Sequence, residues 1–209
     1  LIAETFPIIP DPKNPKKNQI KLEGDIVNIS DNFNNEKKKE VFLNSGVMIN
    51  GNVVTMKTKP DYKGQISPLK SIIFKGEVPE EFYVVDEKQK KQWRYLKGAK
   101  AEPRESKTGF KYDFKEGAMI FPDSLEKPSR TIITGEGGHS PSRFKHVIET
   151  KKGLRRLVPL ELERLNMFPD NHTEFDGVTN AKRAFLMGNA LVIGIVERLG
   201  ETLKKRLEN

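Results

Sequence analysis

The sequence predicts an α+β chain. A mixed, mostly antiparallel β domain with peripheral helices is expected over residues 1–154, followed by a helical segment over residues 155–209. In the first part, short runs of β-branched and aromatic residues are separated by glycine and proline, which is typical of strands joined by turns. In the second part, apolar residues recur at helical spacing. With 209 residues, the chain is long enough to bury a hydrophobic core.

The first 35 residues are predicted to be irregular. Pro7, Pro10, Pro12 and Pro15 separate short apolar pieces, and proline at this density opposes both helix interiors and central strands. The run of lysines at residues 37–39 is interpreted as a solvated face of the protein.

A β-hairpin is predicted between residues 41 and 58. β-branched residues flank Asn50-Gly51, and this dipeptide favours the tight turn in which both central residues have positive φ. Farther along, Ser67 and Pro68 suit the cap and first position of a short helix that ends at Gly76.

The next helix is predicted from Glu87 to Lys97. Asp86 and Gln89 resemble a capping box, and Gly98 suits a left-handed residue after the helix. Trp93 is interpreted as a packing anchor of this helix rather than a platform for bases. Cations are expected over much of its surface, namely Lys88, Lys90, Lys91, Arg94 and Lys97.

Two strands are predicted in the glycine- and proline-rich stretch that follows. Phe110, Tyr112 and Phe114 alternate with charged residues, which indicates a half-buried strand with a charged outer face. A second strand is predicted over Arg130–Thr134. The segments between and after these strands are candidate binding loops.

Three helices are predicted toward the end of the chain. Pro159 suits the first turn of one helix, and Thr179 is a suitable cap for the next. The last helix is amphipathic from Val192 to Leu207, and Lys204–Arg206 lie favourably at the negative end of its dipole.

Composition points to a polyanionic partner. The chain has 37 Lys and Arg against 29 Asp and Glu, a net charge of +8, and no cysteine. Nucleic acid is the usual partner of such a surface. The absence of cysteine excludes disulfides and thiolate metal sites and fits a reducing cytoplasm. The three histidines lack metal-site spacing, and no apolar run predicts a membrane span.

Two motifs near the end of the chain are more specific. The first is RRLVPLELERLNMFPD, from Arg155 to Asp170, and the second is MGNALV, from Met187 to Val192. In order and separation they resemble the last two sequence blocks of DNA (cytosine-5)-methyltransferases. Leu191 departs from the family pattern, in which a valine is usual.

The resemblance implies that this chain is the C-terminal part of such an enzyme. Residues 1–154 would form the target-recognition domain, and residues 155–209 would dock on a separate N-terminal catalytic domain. The family attacks cytosine with a cysteine from a Pro-Cys-Gln loop, which this chain does not contain. A Gly-rich turn for S-adenosylmethionine is not found either. The chain is therefore expected to be inactive alone and to bind no cofactor by itself.

The resemblance also assigns roles to residues of both motifs. Arg155, Glu161 and Arg164 match charged positions that hold the recognition loops, and Glu161 and Arg164 lie one turn apart, which suits a direct pair. Asn189 and Ala190 match positions that approach S-adenosylmethionine in the intact enzyme.

Two DNA-binding loops are expected. By the resemblance, the Gly-rich segment 135–143 is one recognition loop, and its candidate base contacts are Glu136, His139, Ser142 and Arg143. Arginine suits guanine O6 and N7, and glutamate suits cytosine N4. The second loop is expected at residues 104–111, where the candidates are Arg104, Lys107 and Lys111. Lysines in either loop are expected to contact phosphates.

The implied reaction of the parent enzyme is methyl transfer from S-adenosylmethionine to C5 of a cytosine flipped out of duplex DNA. The expected context is prokaryotic restriction-modification in the cytoplasm, without membrane or metal. Two alternatives stay open, a tRNA cytosine-5 methyltransferase and a non-catalytic nucleic-acid-binding subunit.

Overall fold

A computed structural model describes residues 1–32 and 42–208, which form two compact units. The first unit comprises Leu1–Gly64 and Arg198–Asn209, and the second comprises Gln65–Glu197. Helices accompany small antiparallel sheets, which confirms the α+β prediction. The compact units divide after Gly64 and before Arg198 and not after residue 154. The predicted boundary separates a DNA-recognition part from a docking part, and it stays a prediction. Among the described residues, no helix is long and apolar enough to cross a bilayer.

The first unit contains two small sheets. In one of them β2 and β3 flank β4, and in the other β1 pairs with β5. Its elements are α1 (Ile2–Thr5), β1 (Ile8–Pro10), β2 (Lys17–Lys21), α2 (Ile26–Asn32), β3 (Ser45–Ile49), β4 (Asn52–Met56) and β5 (Thr58–Pro60). The prediction of an irregular entry was therefore wrong. The prolines are tolerated because, within residues 1–32 and 42–208, β1 and β2 each pair on one side only, and β2 itself contains no proline. The lysine run at residues 37–39 lies outside the described residues.

The Asn50-Gly51 hairpin is confirmed. Asn50 has φ 48° and Gly51 has φ 75°, the left-handed values that this turn requires. The turn joins β3 to β4 with Val47 opposite Val54. The register is therefore fixed by local chemistry.

The second unit contains most of the predicted functional residues. Two short 3-10 turns, Leu69–Ile72 and Glu80–Phe82, precede its regular elements. These are α3 (Glu87–Lys97), β6 (Lys100–Glu105), β7 (Lys111–Glu116), β8 (Val147–Thr150), β9 (Gly153–Arg156), α4 (Pro159–Leu165), α5 (Asn180–Asn189) and the start of α6 (Ile193–Leu207). β6 and β7 form one antiparallel hairpin, and β8 and β9 form another.

Local capping rules correctly predicted where α3 and α5 begin. Asp86 accepts hydrogen bonds from the backbone of Lys88 and Gln89 at 3.2 Å, so that α3 begins where expected. Thr179 caps α5 in the same manner by accepting from Lys182. Trp93 is fully buried against Val147 and neighbouring apolar side chains, as its role of packing anchor requires.

Several local predictions were wrong. The segment after Ser67 forms only a 3-10 turn without a side-chain cap. Gly98 is extended, with φ −70° and ψ 167°, because the chain enters β6 two residues later. Arg130–Thr134 is irregular backbone that leads into a turn. Phe110 and Tyr112 are exposed rather than half-buried.

The main core of the second unit lies between β8, β9 and the helices α4 and α5. Ile148, Leu157, Leu162 and Met187 are almost fully buried there. Burial of such a side chain contributes roughly 1.5–3 kcal/mol. This core anchors the segments on both sides of the predicted recognition loop.

The Gly-rich segment lies directly against α5. A Cβ atom on Gly188 would lie 2.4 Å from the backbone of Thr134, and one on Gly137 would lie 2.7 Å from the Cα of Ala181. Both distances are shorter than any normal contact, so the two backbones approach only because side chains are absent. Gly188 of the second motif therefore has a packing role that the sequence alone did not indicate.

We predict that Gly188→Ala destabilises the chain by about 1–3 kcal/mol, because the new methyl group overlaps backbone that cannot move easily. Gly200→Ala is the matched control. Gly200 lies on α6, and a Cβ atom added there would meet no atom within 4 Å, so alanine is expected to stabilise by roughly 0.5–1 kcal/mol. Urea unfolding of both variants measures the difference, and equal midpoints would contradict the close approach.

Candidate nucleic-acid interface

A buried ion pair joins the first motif to the rest of the second unit. Arg155 donates to Glu161 through both terminal nitrogens, at 2.8 and 2.6 Å, and the two side chains are 2% and 0% exposed. Glu161 also accepts from the backbone of Val158 and Phe74, each at 2.9 Å. One carboxylate thus fixes β9, the start of α4 and a distant loop.

The predicted pair between Glu161 and Arg164 was wrong. Both carboxylate oxygens of Glu161 are occupied by Arg155 and by backbone N–H groups. Arg164 instead pairs with Asp170 at 2.7 and 2.6 Å and donates to the carbonyl of Ile72 at 3.0 Å. The motif therefore contains two separate ion pairs.

Two buried cations hold the Gly-rich segment 135–143. Arg156 donates to the carbonyl oxygens of Gly137 and Gly138 at 3.0 and 3.1 Å. Lys145 donates to those of Gly138 and Ser140 at 2.9 and 2.7 Å. Burial lowers the pKa of both cations. These hydrogen bonds satisfy the carbonyls of the segment, and His139 and Ser140 are exposed.

Glu136 has a structural position rather than the expected base contact. It is 2% exposed, and its carboxylate accepts from the His146 backbone at 3.0 Å and lies 2.9 Å from His146 Nδ1. His146 Nε2 in turn lies 3.1 Å from the hydroxyl of Ser129. A buried and occupied carboxylate cannot reach cytosine N4, so we assign Glu136 to the framework of the loop.

Arg143 also differs from its expected role, because it connects the two candidate loops. Its guanidinium donates to the carbonyls of Leu96 and Gly98 at 2.9 and 3.3 Å and to that of Gly117. Its Nε lies 3.4 Å from Glu116. These partners lie just before β6 and at the end of β7, which is the open end of the hairpin. With its donors engaged in this way, Arg143 is assigned to holding the hairpin rather than to contacting guanine.

Lys97 lies beside Arg143 at the junction between the Gly-rich loop and the β6–β7 hairpin. It was expected on the charged surface of α3 but is 1% exposed. Its Nζ donates to the carbonyl of Lys145 and lies 4.0 Å from Asp123. Asp123 is also paired with Arg130 and accepts from the backbone of Val147 at 2.8 Å. Burial lowers the pKa of Lys97 to about 8, although the charge of Asp123 opposes this shift.

The remaining predicted DNA contacts face outward. The side chain of His139 is 70% exposed beside Arg156, and Ser142 is half-buried. On the hairpin, Arg104, Lys107 and Lys111 are exposed. The structure therefore divides the predicted set into framework residues, Glu136 and Arg143, and outward-facing residues that stay candidates for DNA contact.

The predicted cofactor positions lie at the end of α5. Asn189 is exposed, and its amide donates to the carbonyl of Phe185 at 3.0 Å. Ala190 is half-buried and ends α5. Within residues 1–32 and 42–208, no group of carboxylates and histidines is placed to hold a metal ion.

Comparison with known proteins identifies the class to which this fold and these motifs belong. The chain is a member of the C-5 cytosine-specific DNA methylase family, whose profile matches residues 4–205. This confirms the resemblance that the two motifs indicated. The chain is also similar to the crystal structure of the S. pombe Dnmt2 methyltransferase, with a TM-score of 0.50. The match covers 76% of this chain and 51% of that one. Because only 13% of residues are identical, that likeness shows the fold alone.

A curated relative gives a more specific comparison. The chain is 40% identical over 205 residues to the type II methyltransferase M.Sau3AI of Staphylococcus aureus. The match covers 98% of this chain and 47% of that protein. The chain therefore spans about half the length of the curated relative.

We predict that Arg155→Met destabilises the chain by about 3–5 kcal/mol, because Glu161 is left buried without its counter-charge. Arg155→Met combined with Glu161→Gln is expected to be more stable than Arg155→Met alone, since no uncompensated charge remains. Glu126→Gln, which removes an exposed pair with Lys70, is the control, with an expected effect below about 1 kcal/mol. Guanidinium unfolding gives all three values. A double variant less stable than Arg155→Met would contradict this account.

The lowered pKa of Lys97 predicts a specific pH dependence. The group titrates near pH 8 when folded and near its ordinary 10.5 when unfolded. Between these values the unfolded state binds more protons, so the free energy of unfolding rises with pH. Relative to Lys97→Met, the unsubstituted chain should therefore gain stability from pH 8 to pH 10, measured by urea unfolding at each pH. A constant or falling difference would show that Lys97 titrates normally.

Proposed function

We propose that this chain is the DNA-recognition part of a DNA (cytosine-5)-methyltransferase of restriction-modification type, acting in the prokaryotic cytoplasm. The observation that carries the proposal is the junction at Arg143, which fixes a Gly-rich loop and a β-hairpin to one framework. Both segments present outward-facing polar and basic side chains. Family membership and the net charge of +8 support duplex DNA as the ligand.

The two segments are proposed to have different tasks. His139 is an exposed residue of a loop whose backbone is held by Lys145 and Arg156, and its ring is proposed to contact a base edge. Lys107 and Lys111 lie on the hairpin as flexible cations suited to phosphates. Phosphate contacts position a protein on the duplex, whereas base contacts select the sequence.

The methyl-transfer step is proposed to require residues beyond this chain. The family's methyl donor is S-adenosylmethionine, and the contacts of Asn189 and Ala190 with it are proposed to be completed by groups of a catalytic domain, since the chain contains no cysteine. We therefore derive no chemical step from these residues. The parent enzyme is proposed to join this chain to a catalytic domain, in keeping with the 47% coverage of the Staphylococcus relative.

The exposed apolar residues that follow α5 are the proposed contact with that domain. Leu191, Ile195 and Val196 are exposed although they are large and apolar. Such side chains clustered on one short segment mark an interaction surface. The role of residues 155–209 as a docking segment is accordingly retained as a proposal.

The DNA-binding proposal can be tested by selecting a preferred duplex from a random library and then measuring the salt dependence of binding. His139→Ala is expected to reduce the preference for the selected duplex over random competitor by about tenfold, the effect of a lost base contact. Lys107→Gln combined with Lys111→Gln should weaken binding to both duplexes and lower the salt slope by roughly 2. Lys75→Gln, an exposed lysine outside the two loops, is the control.

Three results would contradict the proposal. One is the absence of any preferred duplex at moderate salt, which would leave a non-specific basic domain. Another is stronger binding to tRNA than to the selected duplex, which favours the tRNA methyltransferase alternative. The third is methyl transfer by this chain alone, which would remove the need for a separate catalytic domain.

A further inference from the structure

We infer that the β6–β7 hairpin has a second binding surface, an aromatic face that stacks on unpaired bases of a DNA strand. Phe110 and Tyr112 are 68% and 41% exposed, and Phe114 continues the same face. This inference rests on the proposed function, because it assumes that DNA is the ligand. It adds a different recognition mode, since stacking requires a base whose face is not covered by its neighbours.

The hairpin geometry places the three rings together. In a β-strand, residues two apart project to the same side, so Phe110, Tyr112 and Phe114 share one face. The rings of Phe110 and Tyr112 are nearly parallel, with an interplanar angle of 14° and centroids 6.2 Å apart. Arg104 lies opposite Tyr112 in the register and stacks its guanidinium on Phe114, 3.5 Å from the ring centroid. The face therefore presents the three rings and the Arg104 guanidinium as flat groups, and Glu102, which lies opposite Phe114, shares it and pairs with Arg104.

Hydrogen bonds to Ser106 hold the turn that presents these rings. Ser106 accepts backbone hydrogen bonds from Gly109 and, through its hydroxyl, from Phe110 at 3.0 Å each. Gly109 has φ 80°, a conformation that glycine adopts without strain. Phe110 is therefore held at the end of the hairpin before any ligand arrives, which lowers the entropic cost of binding.

The surroundings of the aromatic face suit a polyanion with flat groups. Between residues 104 and 111 the chain has three cations, Arg104, Lys107 and Lys111, against one carboxylate, Glu105. A pocket of about 510 Å³ lies on the hairpin, and its lining includes the cations Arg104 and Lys111, the ring of Tyr112 and the carboxylates Glu105 and Asp113. Aromatic rings that alternate with cations are the usual means of binding single strands, because rings take the bases and cations take the phosphates.

Packing within the protein does not account for these aromatic residues. The predicted half-buried strand would have placed them against a core, yet Phe110 and Tyr112 belong to no hydrophobic cluster of the described residues. Two large exposed rings side by side are unfavourable in water and are typical of an interaction surface.

The inference is tested with the full chain and three DNA probes: an oligo-dT strand, a duplex with one abasic position, and the intact duplex. Each probe carries 2-aminopurine, a base analogue whose fluorescence falls when it stacks. In the abasic duplex this base lies opposite the abasic position. Phe110→Ala and Tyr112→Ala should each weaken binding to the first two probes by about tenfold, the effect of losing one base–aromatic contact. Tyr112→Phe should retain binding because the ring remains.

Phe175→Ala is the matched control, since Phe175 is also 68% exposed but lies outside the hairpin. It should leave all three affinities within about twofold, and all variants should unfold at the same temperature as the unsubstituted chain. Equal binding by Phe110→Ala and Phe175→Ala, or no fluorescence change, would overturn the inference. Failure of the unsubstituted chain to bind the intact duplex would instead overturn the proposed function.

Discussion

The organisation of the second unit depends on the buried pair of Arg155 and Glu161. A buried carboxylate is costly unless its charge and its lone pairs are satisfied. Glu161 meets this requirement with Arg155 and with backbone N–H groups of Val158 and Phe74. Because these partners come from a strand, a helix start and a remote loop, satisfying the carboxylate brings the three segments together. The pair thus links parts of the chain that are distant in sequence.

The same principle operates next to this pair, where buried cations organise a loop. Arg156 follows Arg155 in β9 and donates to carbonyls of Gly137 and Gly138. Lys145 reaches the carbonyls of Gly138 and Ser140 from the other side. A glycine-rich segment has little side-chain packing of its own, so charge-assisted hydrogen bonds supply the order that packing cannot. Close contact with α5 at Gly188 completes this support.

This arrangement explains why basic residues have two different functions in one chain. Cations whose donors are directed at backbone carbonyls, such as Arg143 and Lys145, are removed from solvent and fix the loops. Cations on exposed strands and turns, such as Lys107 and Lys111, keep their charge available to a ligand. Net charge by itself does not distinguish the two groups. The proposed DNA surface consequently includes fewer cations than the total number of basic residues suggests, and the buried cations hold its loops in place.

The sequence alone determined the features that depend on near neighbours in the chain. The Asn50-Gly51 turn, the caps at Asp86 and Thr179 and the anchor at Trp93 follow from local conformational preference or from the size of one side chain. The two motifs also identified the family, because their spacing is a property of sequence. The strand predicted around Tyr112 is present as β7, but its burial was wrong, because Phe110 and Tyr112 are exposed. The element type was wrong where an edge strand formed near prolines, as in β2.

Only the tertiary structure decided which charged residues pair with one another and which face solvent. Glu161 lies three residues from Arg164, a spacing that favours a pair, yet it bonds to Arg155 because β9 and the start of α4 converge in the core. Glu136 and Arg143 have the chemistry of base contacts, but Glu136 bonds to His146, 10 residues away, and Arg143 bonds to carbonyls 26 to 47 residues away in the sequence. Sequence specifies what a side chain is able to bond, whereas the packed chain determines which groups are within its reach, because hydrogen bonds act over about 3 Å.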